Sequence, residues 1–341
     1  MKILAIESTC DETAAAVVEN CGAGVKVISD VIASSVLIHQ KYGGIVPEVA
    51  AREQVQSIVP VITEAVCGVK DDVQAVAVSY GPGLMGSLLI GVETAKTLAW
   101  AWKKPLYSVN HMAAHVFANW IVSDSKTDVP MFPAVGLVVS GGHTDLIFMK
   151  NLRDWEWIGG TRDDAVGEAF DKVARLLGFA YPGGPEIQSA SEKITEIQKK
   201  TSTYKLPRPL LKDLSLEMSF SGLKAAVARM VSEVETLDDD TKNLIAWEFL
   251  EAVSEILVKK TMMAVEQYKP KSVLIAGGVA ANTVLRSRLR ETTEKVAGVK
   301  FFCPELKYCG DNAAMVGAVA ILAPNEAKIR ELRPEPGLAT V

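Results

Sequence analysis

Residues 2–19 read KILAIESTCDETAAAVVE, and the grouping of apolar and polar residues in this stretch decides the fold. KILAIES predicts a β-strand, STCDET a short polar turn and AAAVVE a returning strand, which together make a hairpin. A similar arrangement recurs at 134–150, where AVGLVVS, GGHTD and LIFMK follow one another. Two strand–small polar loop–strand units about 130 residues apart predict a duplicated core, one copy per domain.

Each hairpin is followed by strand-then-helix material. QAVAVSY at 74–80 ends in Gly-Pro-Gly and leads into the long helical stretch LMGSLLIGVETAKTLAWAW; KSVLIAGGVAANTVLRSRL at 271–289 repeats strand, glycine pair and helix. Strands alternating with helices argue for α/β sheets. The chain has 341 residues, beyond the roughly 250–300 at which a single core stops growing, so two domains are expected. The first is placed at 1–118 and the second at 130–310. The polar stretch NWIVSDSKTDVPMF joins them, and the apolar helix at 311–323 packs back on the first domain. Residues 180–220, rich in Pro, Gly, Ser and Lys, read as irregular, and the tail at 324–341 reads as polar and loose.

Composition narrows the classes further. Apolar residues make up 49% and charged residues 23%, which suits a globular protein. No apolar run approaches the roughly 18 residues of a membrane span. MKILAIES passes at once into TCDET, unlike a secretory or transit segment, so a cytoplasmic location is expected. The five cysteines (Cys10, Cys21, Cys67, Cys303, Cys309) are scattered without a C-x-x-C pair and are expected to be reduced thiols. The formal charge of −5 does not attract a polyanion, so a nucleic-acid substrate would need a local patch or a partner. RSRLR at 286–290 and Lys103–Lys104 are the candidate patches, and both also read as ordinary solvated helix faces.

Five places carry possible chemistry. In SVNHMAAHVF (108–117), His111 and His115 stand four apart on one helix face, which suits either metal ligation or two polar tips on an apolar helix. SGGHT (140–144) has Gly141 and Gly142 where backbone N–H groups can face phosphate or carbonyl oxygens, flanked by Ser140, His143 and Thr144; a plain hairpin turn is the alternative. AGGVAAN (276–282) puts Gly277 and Gly278 at the end of a strand, where open α/β sheets bind ligands, with Asn282 either contacting a ligand or capping the helix. DDAVGEAFDKVARLLG (163–178) is an amphipathic helix. Val166, Ala169, Phe170, Val173 and Leu177 form its buried stripe, and Asp164, Glu168, Asp171 and Arg175 its polar face. In YCGDNAAMVGAVAIL (308–322), Asp311 reads as an N-cap, or as a carboxylate completing a two-histidine, one-carboxylate set across a domain cleft. There is no G-x-G-x-x-G and no Walker sequence, which disfavours dehydrogenase and P-loop readings.

Taken in order, AIESTCDET, LIHQKYGGIVPEVAAR, SYGPGLMGSLLIG, VNHMAAH, LVVSGGHTDL, GEAFDKVARLLG, YPGGP, SFSGLK, AGGVAAN and CGDNAAM resemble the TsaD family of tRNA threonylcarbamoyladenosine transferases, once described as O-sialoglycoprotein endopeptidases, over about residues 1–320. HQKYGGIVPE resembles its bacterial branch. The resemblance implies the two-lobed α/β fold of actin, sugar kinases and Hsp70 (the ASKHA fold) with duplicated RNase H-like cores. It implies one divalent metal per subunit, Fe²⁺ favoured over Zn²⁺, on His111, His115 and Asp311. It further implies that Val139, Ser140, Gly141, Gly142, His143, Asp171, Gly184, Gln188 and Asn282 hold the nucleotide part of the substrate, with catalytic Glu12 near the reacting centre. Three positions depart from the family pattern: Ala113 stands where glutamate is usual, Gln188 where an acidic residue is common, and Gly310 where threonine is frequent.

The implied reaction moves the threonylcarbamoyl group from threonylcarbamoyl-adenylate to the exocyclic amine of the adenosine beside the anticodon, in tRNAs reading ANN codons, and releases AMP. The implied partners are tRNA, the adenylate or ATP, a smaller paralogous TsaB-like subunit docking on the 84–102 helix, and a TsaE-like ATPase. A small-molecule kinase or ATPase of the same fold is the alternative. A zinc protease is disfavoured, since H-E-x-x-H is lacking and Met112 follows His111.

Overall fold

The computed structural model describes residues 1–123 and 127–340. The expected interdomain link at 119–132 therefore lies partly outside the described residues. In chain order the elements begin with β1 (Lys2–Glu7), β2 (Glu12–Asn20), β3 (Val25–Ser34), α1 (Val36–Gln40), α2 (Pro47–Ala65), β4 (Val73–Gly81), α3 (Met85–Trp102), β5 (Leu106–Asn110), α4 (His111–Phe117) and β6 (Ile121–Val122). There follow β7 (Ala134–Val139), β8 (Thr144–Met149), β9 (Trp155–Gly160), α5 (Val166–Leu176), α6 (Gly183–Glu192), α7 (Glu196–Thr201), α8 (Ser221–Glu233) and α9 (Asp239–Tyr268). The chain closes with β10 (Ser272–Ala276), α10 (Thr283–Thr293), β11 (Lys300–Phe302), α11 (Ala313–Leu322) and β12 (Glu326–Ala327).

Contacts divide the chain into two compact units, Met1–Pro130 with Pro304–Val341, and Met131–Cys303. The first unit holds a seven-stranded sheet in the order β12-β5-β4-β1-β2-β3-β6, and the second a five-stranded sheet in the order β11-β10-β7-β8-β9. The same scheme underlies both. Three antiparallel strands, β1–β3 or β7–β9, are extended from the first of them by two parallel strands, β4 and β5 or β10 and β11. This repeat is the duplicated α/β core of the ASKHA type.

Each sheet recruits helices because its strands are apolar on both faces. Residues 3–6 of β1 and 14–18 of β2 are fully buried. In the first unit α11 packs on β1 and β2, α2 on β2 and α3 on β4. Gly317 lets α11 come close: a Cβ there would lie 2.3 Å from Val18 Cγ2. In the second unit α9, buried along much of its thirty residues, packs on β7 and carries α6 and α10.

Two expectations are corrected. Residues 180–220 are not wholly irregular, since α6 and α7 form within them. A proline in the first turn is compatible with a helix because that turn's N–H groups have no intrahelical acceptor. Nor is the tail loose. Leu332 joins the first unit's core, Glu335 N donates to Tyr80 O at 2.7 Å, and Asn110 Nδ2 donates to Ala339 O at 2.7 Å.

Candidate functional site

Helix α4 begins directly from β5, and Asn110 caps it by accepting from Met112 N and Ala113 N. A spacing of four, just over one turn, then puts His111 and His115 on one face, with ring centroids 4.6 Å apart. Helix α11 packs on α4, which carries the residue before its cap to the same place. That residue is Asp311, whose Oδ1 lies 3.2 Å from His115 Nε2 and 3.6 Å from His111 Nε2. Of the two readings of Asp311, the N-cap is the one the structure does not bear out. Asn312 caps α11 through Met315 N at 2.9 Å, leaving the Asp311 carboxylate to the histidines. The expected meeting across a domain cleft is also corrected, because Asp311 belongs to the same unit as both histidines.

One nitrogen and one oxygen of this corner are held by residues that the sequence did not single out. Glu7, fully buried at the end of β1, presents Oε2 3.0 Å from His111 Nδ1 and accepts from Ser79 Oγ on the same oxygen. Thr9 Oγ1 lies 3.2 Å from His111 Nδ1 and donates to Asp311 Oδ2 at 3.5 Å. A carboxylate on Nδ1 orients the imidazole and leaves Nε2 for a ligand, the usual support of a metal-bound histidine. Burial alone would depress the His111 pKa, but the charges of Glu7 and Asp311 outweigh it and raise it to about 9. Burial likewise opposes charge on Asp311, yet the two imidazoles hold it below the ordinary carboxylate range.

The donor atoms of His111, His115 and Asp311 lie within 4.8 Å of one another, and the buried His115 Nδ1 has no hydrogen-bond partner among the described residues. Two imidazoles and a carboxylate in surroundings negative enough to keep an imidazole protonated fit a single divalent cation. Glu12 lies in the same neighbourhood at the start of β2. Its pKa is pushed up to about 9 by burial and then by the charges of Asp311 and Asp11, while Ser34 Oγ donates to it at 3.1 Å. The loop that carries Glu12 is fastened from α2. Gln54, 1% exposed, donates through Nε2 to Cys10 O and Glu12 O, each at 3.0 Å.

The second unit contains a cavity of about 460 Å³, within the range of small-molecule sites at roughly 300–1,000 Å³. Gly141, Asp171, Gly184, Gln188 and Asn282 line it, together with Gly167, Phe170 and Glu192. Val139, Ser140, Gly142 and His143 are not in its wall. Ser140 instead closes the turn, its N–H donating to His143 O and its Oγ accepting from His143 N. Val139 is fully buried at the end of β7, against Gly277. Gly277 has φ +90°, and a Cβ there would sit 2.4 Å from Val139 O. Only glycine fits that crossing.

Side chains around the cavity are mostly committed to shaping it. Asp171 accepts from Gly183 N at 2.7 Å, which fixes the YPGGP turn, and burial raises its pKa. Asn282 caps α10 by accepting from Leu285 N at 3.0 Å, the capping alternative, while still facing the cavity. Gln188 accepts from Thr283 N and donates to Glu192, tying α6 to the start of α10. Glu7, Thr9 and Gln54 had no signal beyond a polar residue at a strand end or a helix interior. Gly167 had one, as a glycine inside an amphipathic helix, and a Cβ on it would meet Ser140 O at 2.5 Å.

These features define an α/β protein of the actin, sugar kinase and Hsp70 type, with a corner of two histidines and an aspartate in one unit and a cavity of nucleotide size in the other. The family model for tRNA N6-adenosine threonylcarbamoyltransferase (TsaD) matches residues 26–318, and the chain belongs to that family. The tRNA N6-adenosine threonylcarbamoyltransferase of Moorella thermoacetica is 46% identical over 322 residues, covering 93% of this chain and 90% of the relative. That of Enterococcus faecalis is 45% identical over 345 residues, covering 99% of this chain and 95% of the relative. The crystal structure of full-length HypF superposes with a TM-score of 0.60 at 14% identity, over 94% of this chain and 55% of HypF, a likeness of fold alone. No helix among the described residues is long and apolar enough to cross a membrane.

Proposed function

We propose that this chain transfers a threonylcarbamoyl group to the N6 amine of the adenosine beside the anticodon of tRNAs reading ANN codons, with threonylcarbamoyl-adenylate as donor and AMP as leaving group. The observation that carries this reading is the corner of His111, His115 and Asp311 in a chain 45% identical to such transferases over nearly its whole length. An exocyclic aromatic amine is a poor nucleophile, so the acyl carbon must be made electrophilic and the leaving group must depart easily. A cation held by the three residues would supply Lewis acidity for that purpose; Fe²⁺ suits the set best and Zn²⁺ is the alternative.

The protein's own groups supply the rest. Glu7 and Thr9 hold His111 in register. Glu12 is assigned to orienting the acceptor amine. In the second unit the bare backbone at Gly141 and Gly184 admits the adenylate, and Asp171 and Asn282 set its orientation. The exposed face of α3, with Met85, Leu89 and Trp100, supports docking of a smaller TsaB-like subunit. A TsaE-like ATPase and a cytoplasmic setting belong to the same reading.

Mass spectrometry of tRNA incubated with the chain, threonylcarbamoyl-adenylate and its partner proteins tests the reading. A threonylcarbamoyl adduct on that adenosine is the expected product. Phosphoryl transfer to a small molecule, with tRNA unchanged, would point to the kinase alternative.

A further inference from the structure

Residues 193–212, KITEIQKKTSTYKLPRPLLK, carry six basic side chains and one acidic one in a chain whose net charge is −5. The acidic residue, Glu196, is already paired with Lys199 at 2.7 Å. Arg208 is likewise engaged, with Glu255 and Glu248 of α9. Lys193, Lys200, Lys205 and Lys212 are exposed and have no ion-pair partner among the described residues.

This strap is fastened rather than loose. Ile194 and Leu206 are each 5% exposed, Leu206 N donates to Glu248 Oε1 at 3.0 Å, and the fully buried Lys260 donates to Asp213 O and Ser215 O just past its end. Thr195 and Gln198 close a capping box at the start of α7. Four ammonium groups therefore stand on a backbone fixed beforehand, which lowers the ordering cost of binding. The strap leaves directly from α6, whose Gln188 and Glu192 form part of the cavity wall.

The patch named from sequence is spent on the protein itself. In RSRLR, Arg286 bonds Ala280 O, Arg288 pairs with Glu251, and Arg290 lies over the Phe301 ring with Nη2 on Cys303 Sγ. Lys103, in the left-handed conformation, ends α3.

We propose that the 193–212 strap binds the phosphodiester backbone of the acceptor RNA through Lys193, Lys200, Lys205 and Lys212, its Lys193 end adjoining the cavity wall of the second unit. The inference rests on the tRNA reading above and adds where the RNA is gripped. Its ligand is a polyanion with regularly spaced phosphates, and the affinity comes chiefly from counterion release.

The test titrates a transcribed tRNA that has adenosine after the anticodon against the full chain, with any subunits that co-purify. Wild type is compared with the K193Q/K200Q/K205Q/K212Q variant across a salt series. The variant is expected to bind at least about tenfold more weakly near 0.1 M salt, and its slope of log K against log salt should fall by roughly 3. AMP binding to the cavity, measured by calorimetry, stays at the wild-type value. Wild-type affinity and slope in the variant, with tRNA still modified, would overturn the strap while leaving the transferase reading intact. Failure of the wild type to bind or modify tRNA would overturn both.

Discussion

Around His111, imidazole and carboxylate atoms crowd within 3.0–3.6 Å of each other, with His111 braced by Glu7 and Thr9 and Glu7 braced in turn by Ser79. The second unit's cavity shows the reverse. A Cβ added at Gly141, Gly184 or Gly278 would meet nothing within 4 Å, and the polar side chains nearby mostly tie one backbone segment to another. One region is built from charges that are present and the other from side chains that are missing. The same sheet scheme thus supports two kinds of construction, and the two should fail differently when altered.

The largest effect is expected where the corner loses a donor. His111→Ala, His115→Ala and Asp311→Ala should each leave a folded protein whose cation content drops towards zero. Transfer should fall by at least about 100-fold, since a Lewis acid supplies several kcal/mol of barrier lowering. Elemental analysis together with single-turnover transfer checks this, and treating the wild type with a chelator should reproduce the loss until metal is restored. AMP binding should not change, because none of the three residues lines the cavity. A variant with full metal content and full activity would remove the corner from the reaction.

The cavity should break through its backbone. Gly277→Ala forces a Cβ against Val139 O at a φ of +90°, so a stability loss of about 3 kcal/mol is expected. Thermal unfolding reads it, and unchanged stability would mean the β10–β7 crossing relaxes freely. Asp171→Ala is milder. It leaves Gly183 N without its acceptor, at a cost of about 1–2 kcal/mol, and should weaken AMP binding with metal content unaltered.

How much of this the sequence made legible follows from the same contrast. The hairpins at 2–19 and 134–150 declared both sheets because strands buried on one or both faces leave continuous apolar runs. His111 and His115 were visible because four residues make about one helical turn. Asp311, nearly two hundred residues away, was not separable from a helix cap until Asn312 was seen to do the capping. Glu7 was missed for a packing reason: a charge ending an apolar strand resembles a solvent-facing strand end, yet helices cover both faces of β1 and bury it completely. The loop SGGHT read as a ligand contact throughout, but only Gly141 lines the cavity, because Ser140 and His143 close the turn on each other. Spacing along a chain reports neighbours on one element; it does not report which side of a turn faces a void.

The smallest effect concerns a charge in the second unit that serves the backbone rather than a ligand. Asp163 accepts from the hydroxyls of Ser219 and Ser221 at 2.6 Å and from the backbone N–H groups of Phe220 and Ser221, so it pins the start of α8. Partial burial alone would raise its pKa, but these four hydrogen bonds outweigh it and lower the value to about 2. Because the folded value lies below the unfolded one of about 3.9, the stabilisation is complete above that unfolded value and disappears as pH falls towards 2. The carboxylate is exposed to solvent, so its worth is discounted to about 1 kcal/mol. The difference in unfolding free energy between wild type and Asp163→Ala should therefore shrink by that amount between pH 5 and pH 2, as read by urea titrations at several pH values. Charges elsewhere cancel in the difference. A gap that stays constant with pH would mean the hydroxyls hold the protonated carboxyl equally well, and that even this charge acts by shape, as the glycines do.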